Sequence, residues 1–348
     1  MIKNIDRGGA TVTLRDIASA LRLSVSTISA ALQKRPDISV LTRQRVLKKA
    51  QEMHYHPNWL ARALVTRRTQ VLGVVVPDLS WSFFTEVSMG IDGVSSAAGY
   101  NLVICNTGED EVREVDELTS LVSRQVDGLI LASAHKPGST DVIQWLAKTN
   151  IPFVLIDRYY PGANFVGCDD EKIGFLATSH LIKQGYRHVA HIRGPNIWTA
   201  IGRLKGYLSA LRQHGLRPRS DYVVEAQYHE ESSGYEAMQK LLQLSPRPDA
   251  VFAGSDPMAI GALQAGRAAG LRLPEDFGLI GVGNARYTQY LSVPLSTVDQ
   301  KRNILGRKAA TLLLGLINRK RPAEPRVILI EPKLIVRETS RRRRRPPA

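Results

Sequence analysis

Thirteen Lys and Arg side chains against four Asp and Glu fall within residues 1–70, a local charge of +9, and Arg341 to Arg345 add +5. Residues 71–340 come to +1, so nearly all of the chain's +15 sits at its two ends. Charge spread only for solubility would not segregate in this way, whereas a surface that neutralises phosphates would. Other chemistries are poorly supplied. His54 and His56 are spaced as a metal pair but stand beside Pro57 with no third ligand nearby. Gly281 and Gly283 lack the third glycine of a dinucleotide fingerprint, since residue 286 is Arg. Cys105 and Cys168 lie outside any Cys-x-x-Cys or Cys/His spacing and read as reduced thiols. No nucleophile elbow appears, so neither an enzyme, a metal nor a cofactor is expected.

The elements that must position the basic end are written in its capping residues. Thr13 caps a helix whose Asp16 completes a capping box, with Leu14, Ile17, Ala18 and Leu21 on one face. Ser24 caps a second helix, to which Val25, Ile28, Ala31 and Leu32 give an apolar side. Two helices meeting across so short a turn form a helix-turn-helix, whose second helix can enter a major groove. A third run, 39–53, is expected to close the small core with Leu41, Val46, Leu47, Ala50 and Met53 and to carry a basic outer face.

At 348 residues and 43% hydrophobic content, chain remains for one large or two medium globular domains. The first residues lack the apolar run of a signal peptide, and no stretch of about 18 apolar residues occurs, so neither export nor a membrane span is expected. From Val71 onward β-rich runs alternate with amphipathic helices. Residues 71–76, 102–105, 128–132 and 153–156 form one series of candidate strands, and 189–192, 222–225, 250–253 and 279–282 a second. This alternation predicts parallel sheets covered by helices, in two doubly wound lobes, with ligands bound beyond the C-terminal strand ends.

The ordered set Thr13-Leu-x-Asp-Ile-Ala, Ser24-x-x-Thr27-Ile-Ser29, Thr42-Arg-x-Arg-Val46 and Tyr55-x-Pro57-Asn58-x-x-Ala61-Arg62-x-Leu64 resembles the head of the lac repressor (LacI/GalR) family of bacterial regulators. In the body, Val126-Asp-Gly128, Gly185-Tyr-Arg-His188, Arg203-x-x-Gly206, Arg247-Pro-Asp-Ala250 and Met258-Ala-Ile-Gly261 extend the resemblance over essentially the whole chain. It implies a helix-turn-helix domain at 1–56, a hinge and linker at 57–69, and a periplasmic-binding-protein-like body at 70–340. The N-lobe is expected at about 70–160 plus 300–330, the C-lobe at about 161–299 plus 331–340, and a solvated basic tail at 341–348. A cytoplasmic transcriptional repressor follows, in which a homodimer reads a near-palindromic DNA operator. The tail carries no leucine heptads, which favours a dimer over a tetramer.

The resemblance implies a DNA-contact set of Thr13, Ser24, Val25, Ser26, Thr27, Ser29 and Ala30, with Val25, Ser26 and Ala30 facing base edges. Their side chains can touch thymine methyls or, through Ser26, form one hydrogen bond, but none can make a bidentate contact. Within the hinge, Asn58 would cap a short helix, Ala61 and Arg62 approach the minor groove, and Leu64 wedge between base pairs. Two positions depart from the family pattern. Arg22 stands in the interhelical turn where a positive φ is expected, so a slightly strained turn is predicted, and Gln33 replaces the usual Asn.

For the effector cleft the resemblance implies Phe83, Phe84, Thr199 and Arg203, with Asp169, Tyr228 and Asp256 as weaker candidates. A structural role serves as well for these three, and Asp256, before Pro257, reads first as a helix cap. Gly283 stands where many relatives place an effector-binding aspartate, so either Asn284 substitutes or the ligand is no typical free sugar. A carbohydrate is the first expectation, ahead of a purine, a phosphorylated metabolite or no small ligand. A sugar-transport solute-binding protein would share the two-lobed body but needs a signal peptide and no helix-turn-helix.

Overall fold

The computed structural model describes residues 12–33, 35–55, 68–135, 141–319 and 324–342. The chain divides into two units, 1–69 and 70–348, each considered by itself.

The first unit holds α1 (Leu14–Leu21), α2 (Val25–Leu32) and α3 (Val40–Glu52). Ile17, Ala18, Ile28, Ala31, Val46 and Ala50 make its core. Val46, Ala50 and Met53 follow helical spacing and share the inward stripe of α3. Leu41 and Leu47 fall off that stripe and are 76% and 42% exposed, so the expectation that they close the core is corrected. Two eight-residue helices offer α3 too little surface to cover a wider face.

The second unit is built on two six-stranded sheets. The first contains β1 (Val71–Val76), β2 (Asn101–Asn106), β3 (Gly128–Leu131), β4 (Phe153–Ile156) and β5 (Phe165–Cys168). The second contains β6 (Val189–Arg193), β7 (Val223–Glu225), β8 (Ala250–Ala253), β9 (Gly278–Val282) and β10 (Ser296–Asp299). β11 (Val327–Ile330) then returns to the first sheet and β12 (Lys333–Ile335) to the second. The orders are β11-β5-β4-β3-β1-β2 and β12-β10-β9-β8-β6-β7, parallel throughout except for β12 against β10. All eight strands expected from the sequence are present. β5, β10, β11 and β12 are additional, each only three or four residues long and at or beside a lobe crossing. The first crossing follows Cys168, later than the boundary expected near 160, because β5 first joins the first sheet beside β4.

The covering helices are α4 (Ser82–Ser95), α5 (Glu111–Ser123), α6 (Asp141–Lys148), α7 (Asp170–Lys183), α8 (Trp198–Gln213), α9 (Glu231–Leu242), α10 (Asp256–Ala268) and α11 (Arg302–Ile317). Three pairs cross at close range: α4 on α11, α7 on α8, and α9 on α10. Each crossing carries a glycine on both partners: Gly90 and Gly306, Gly174 and Gly206, Gly234 and Gly261. A β-carbon at any of the six would meet the backbone of the opposite helix. Absent side chains let the axes approach closely enough to bury apolar clusters such as Leu72, Val74, Phe84, Leu305 and Leu313.

Candidate nucleic-acid interface and ligand cleft

In the head, the Thr13 N–H and hydroxyl both donate to the Asp16 carboxylate, at 2.7 and 2.8 Å, and these bonds hold that carboxyl below its ordinary range. Helix α1 ends on Arg22 at φ 53, ψ 43, the left-handed conformation expected there, and the N–H groups of Arg22 and Leu23 close onto the carbonyls of Ser19 and Ala18. Ser24 Oγ accepts from the Thr27 N–H at 3.0 Å and lies 2.7 Å from both Ser26 Oγ and Thr27 Oγ1. With Ile28 and Ala31 turned inward, Val25 and Ser26 are exposed and Ser29 and Ala30 half-buried. Val25, 41% exposed, is not a core contact. Ser29 Oγ accepts from Gln33 Nε2 at 3.2 Å, so the residue that replaces the usual Asn is tied back to its own helix.

The outward side of α2 therefore offers the methyls of Val25 and Ala30 and the Ser26 hydroxyl, suited to thymine methyls and a single polar base contact. On α3, Arg45 and Lys48 are exposed, whereas Arg43 turns back and donates to the Arg35 carbonyl at 2.7 Å, bracing the preceding loop. Asn58, Ala61, Arg62 and Leu64, expected in the hinge, lie outside the described residues, as does His56 of the histidine pair. Among the described residues no group of His, Cys, Asp and Glu could hold a metal ion.

The second unit contains a cleft of about 740 Å³ lined from both lobes. Phe83, Phe84, Thr199, Arg203, Tyr228 and Asp256 all reach its wall, although Phe84 is 2% exposed and belongs mainly to the first lobe's core. Thr199 and Arg203 stand one turn apart on α8. Arg203 Nε donates to Asp170 Oδ1 at 2.9 Å, its Nη1 to the Gly254 carbonyl at 2.7 Å, and its guanidinium lies 5.2 Å from the Tyr228 ring centre. Burial pushes the Asp170 carboxyl up to about 7 against the pull of Arg203. Thr199 Oγ1 donates to Tyr228 Oη at 3.4 Å.

Two expected cleft residues lie elsewhere. Asp169 caps α7, accepting from the Lys172 N–H at 2.9 Å, and is absent from the cleft wall; its neighbour Asp170 makes the contact with Arg203. Asn284, at φ 54, accepts from Arg337 Nη2 at 2.7 Å, so its side chain is engaged away from the cleft and does not replace the aspartate missing at Gly283. Asp256 is not the helix cap, because Ser255 takes that position and accepts from the Met258 N–H. Its carboxylate instead accepts from the Ala285 N–H at 2.7 Å and the Thr297 hydroxyl at 2.6 Å, tying three strand ends together.

Residues that the sequence reading missed complete the wall. Asp157 and Arg158 follow β4, Gln300 follows β10, His229 closes the loop after β7, and Trp81 precedes α4. The rule that ligands bind beyond C-terminal strand ends would have found most of them. Trp81 and His229 reach across from opposite lobes and stack with ring centres 3.4 Å apart and planes 16° apart. Burial holds the His229 imidazole below its ordinary value.

A three-helix head with an exposed capped helix, attached to a two-lobed body with a ligand-sized cleft, defines the class of effector-controlled DNA-binding regulators. The bacterial regulatory proteins of the lacI family match residues 13–58, and the periplasmic binding protein-like domain matches 178–340. The ribose operon repressor of Halalkalibacterium halodurans is 33% identical, covering 94% of this chain and 97% of its own. The transcriptional repressor PurR of Pasteurella multocida is 32% identical over 95% of this chain and 99% of its own. Among solved structures, the regulator CelR in complex with cellobiose superposes with a TM-score of 0.73 at 29% identity, over 94% of this chain and 99% of that one. The lac repressor dimer bound to operator and an anti-inducer shares the fold, with a TM-score of 0.85 at 24% identity over 95% and 99%. The chain belongs to the lacI family: it is a DNA-binding transcriptional repressor with an effector-binding domain, and not an enzyme.

Proposed function

We propose that this repressor acts in the cytoplasm as a homodimer on a near-palindromic operator and that the ligand of its cleft is a carbohydrate. The observation that carries the ligand reading is the cleft itself. Its aromatic faces, Phe83 and Tyr228, stand beside fixed hydrogen-bonding groups on Thr199, Arg203 and Asp157, the pairing that a sugar's apolar ring face and hydroxyl rim require. CelR, a relative of similar fold, is described in complex with cellobiose. A ligand held between the lobes alters operator affinity only by favouring one lobe arrangement over another.

For DNA, the outward residues of α2 read the major groove while Thr13, Ser24, Thr27 and Ser29 set its approach to the phosphates. Asn58, Ala61, Arg62 and Leu64 form the minor-groove hinge. The dimer reading is supported by apolar side chains at the free edge of the first sheet: Val103 and Ile104 on β2, Met89 on α4 and Val112 on α5, the last 73% exposed. The test is a gel shift with genomic fragments, with and without sugars. Wild type is expected to bind a near-palindromic fragment in a salt-sensitive way. Leu64→Ala should weaken that binding at least tenfold while leaving sugar binding unchanged; equal operator affinity would sink the hinge assignment.

A further inference from the structure

The cleft wall is unequally charged. Six carboxylates line it against three guanidiniums, and all three guanidiniums are already engaged. Arg158 Nη2 meets Glu109 at 2.5 Å, Arg203 Nε meets Asp170 at 2.9 Å, and Arg302 Nη2 meets Glu86 at 3.1 Å while its Nη1 donates to Ser82. Each of these arginines is at most 5% exposed, so an incoming phosphate or carboxylate finds no open guanidinium. Several lining carboxylates, by contrast, lack a close cation. Glu111 and Glu231 make no ion pair among the described residues. Asp256 accepts only from two neutral donors, the Ala285 N–H and the Thr297 hydroxyl. Asp157 is paired only loosely, with Arg158 Nε at 3.8 Å, and burial holds its carboxyl above the ordinary range against the pull of Arg158 and Arg203. That Nε is buried and has no hydrogen-bond partner. Field lines concentrate in a low-dielectric cleft, so this imbalance acts on whatever occupies it. Beside the carboxylates, Trp81, Tyr228 and Tyr287 supply aromatic surface that also attracts a cation.

We propose that the ligand of this cleft carries a positive charge, and is an amine-bearing saccharide rather than a neutral or phosphorylated one. The proposal deepens the effector reading above and rests on it. Asp157 is the residue placed to receive the ammonium, and its left-handed backbone, φ 62, is one that Asn also adopts readily. Asp157→Asn therefore removes the charge while keeping shape and fold.

The experiment is a thermal-shift titration of the full chain against matched sets: glucose, glucosamine and glucose 6-phosphate; galactose, galactosamine and galactose 1-phosphate; cellobiose and the chitosan disaccharide; and putrescine as an amine that is no sugar. The expected result is that an amino sugar binds at least tenfold tighter than its neutral counterpart, that phosphates give no shift, and that Asp157→Asn reduces the preference, taken as the ratio of the two affinities in the same variant, to threefold or less. An amine-bearing saccharide is ruled out if no amino member outperforms its neutral or phosphorylated counterpart, including the case in which none shifts the transition, or if Asp157→Asn leaves the preference intact. A neutral sugar that binds and alters the gel shift would retain the carbohydrate reading and remove the charge. Binding of putrescine alone would do the reverse.

Discussion

One substitution, glycine to alanine, should have opposite signs at two helical sites of this protein. At Gly315, near the C-terminal end of α11, an added β-carbon meets nothing within 4 Å. Alanine there gains helix propensity and restricts the unfolded chain, a stabilisation of about 0.5–1 kcal/mol. At Gly206 the same methyl group would collide with the Glu171 carbonyl and come to 2.7 Å from the Phe175 N–H, both on α7. Neither atom can swing aside, so the α7 and α8 axes must separate by roughly 1 Å, loosening the contact on which Gly174 and Gly206 depend. Overpacking against backbone that cannot swing aside sits at the upper end of the usual cost of about 1–3 kcal/mol; after the propensity gain, Gly206→Ala should be destabilising by about 2 kcal/mol. Arg203 lies one turn away and its partner Asp170 opens α7, so the same displacement should lengthen their 2.9 Å contact and weaken ligand binding about tenfold. Urea denaturation of both variants and a ligand titration of Gly206→Ala provide the measurement. If Gly206→Ala proved as stable as Gly315→Ala, the close-crossing account of all three helix pairs would be refuted.

Three further outcomes are expected. His191 is fully buried against Phe252, with ring centres 4.4 Å apart, and burial holds its imidazole down to about 3. The unfolded chain takes up this proton below about pH 6.5 while the folded chain refuses it, so His191 withdraws about 1.4 kcal/mol of stability per pH unit as pH falls from 6.5 towards 3; the stability difference between His191→Phe and wild type should shift in the variant's favour across that window, and a pH-independent difference would contradict the assignment. Ser24→Ala removes the cap of α2, worth about 1 kcal/mol, and should lower hydrogen-exchange protection of the α2 amides about fivefold while α7 amides are unchanged. Arg203→Ala leaves Asp170 buried without its guanidinium and should cost about 3–5 kcal/mol by denaturant titration, whereas Asp170→Asn combined with Arg203→Met should recover much of the loss.

Local physics was legible in the sequence. Capping residues Thr13 and Ser24 start α1 and α2 as their types predict, Thr13 through its reciprocal bonds with Asp16 and Ser24 by accepting from the Thr27 N–H, and Arg22 takes the left-handed turn that the short connection demanded. The eight expected strands are runs of adjacent apolar residues, whose burial pattern repeats within a few positions of chain. The strands the sequence did not reveal are only three or four residues long, and β5 takes one of its two neighbours, β11, from the far end of the chain.

The cleft divides along the same line. Residue types and the lac repressor resemblance brought Phe83, Thr199, Arg203, Tyr228 and Asp256 to its wall, but they could not say that Asp169 turns into a helix cap while Asp170 reaches Arg203, or that Asn284 is held by Arg337. Those choices turn on about 100° of helix rotation and on partners 33 and 53 positions away in the chain. Sequence fixes which groups are available and which helices and strands form, because those depend on near neighbours. Which carboxylate faces the cleft, which guanidinium is already neutralised and how closely two helices cross are settled only when distant segments pack, since each is decided by the atom that arrives on the other side.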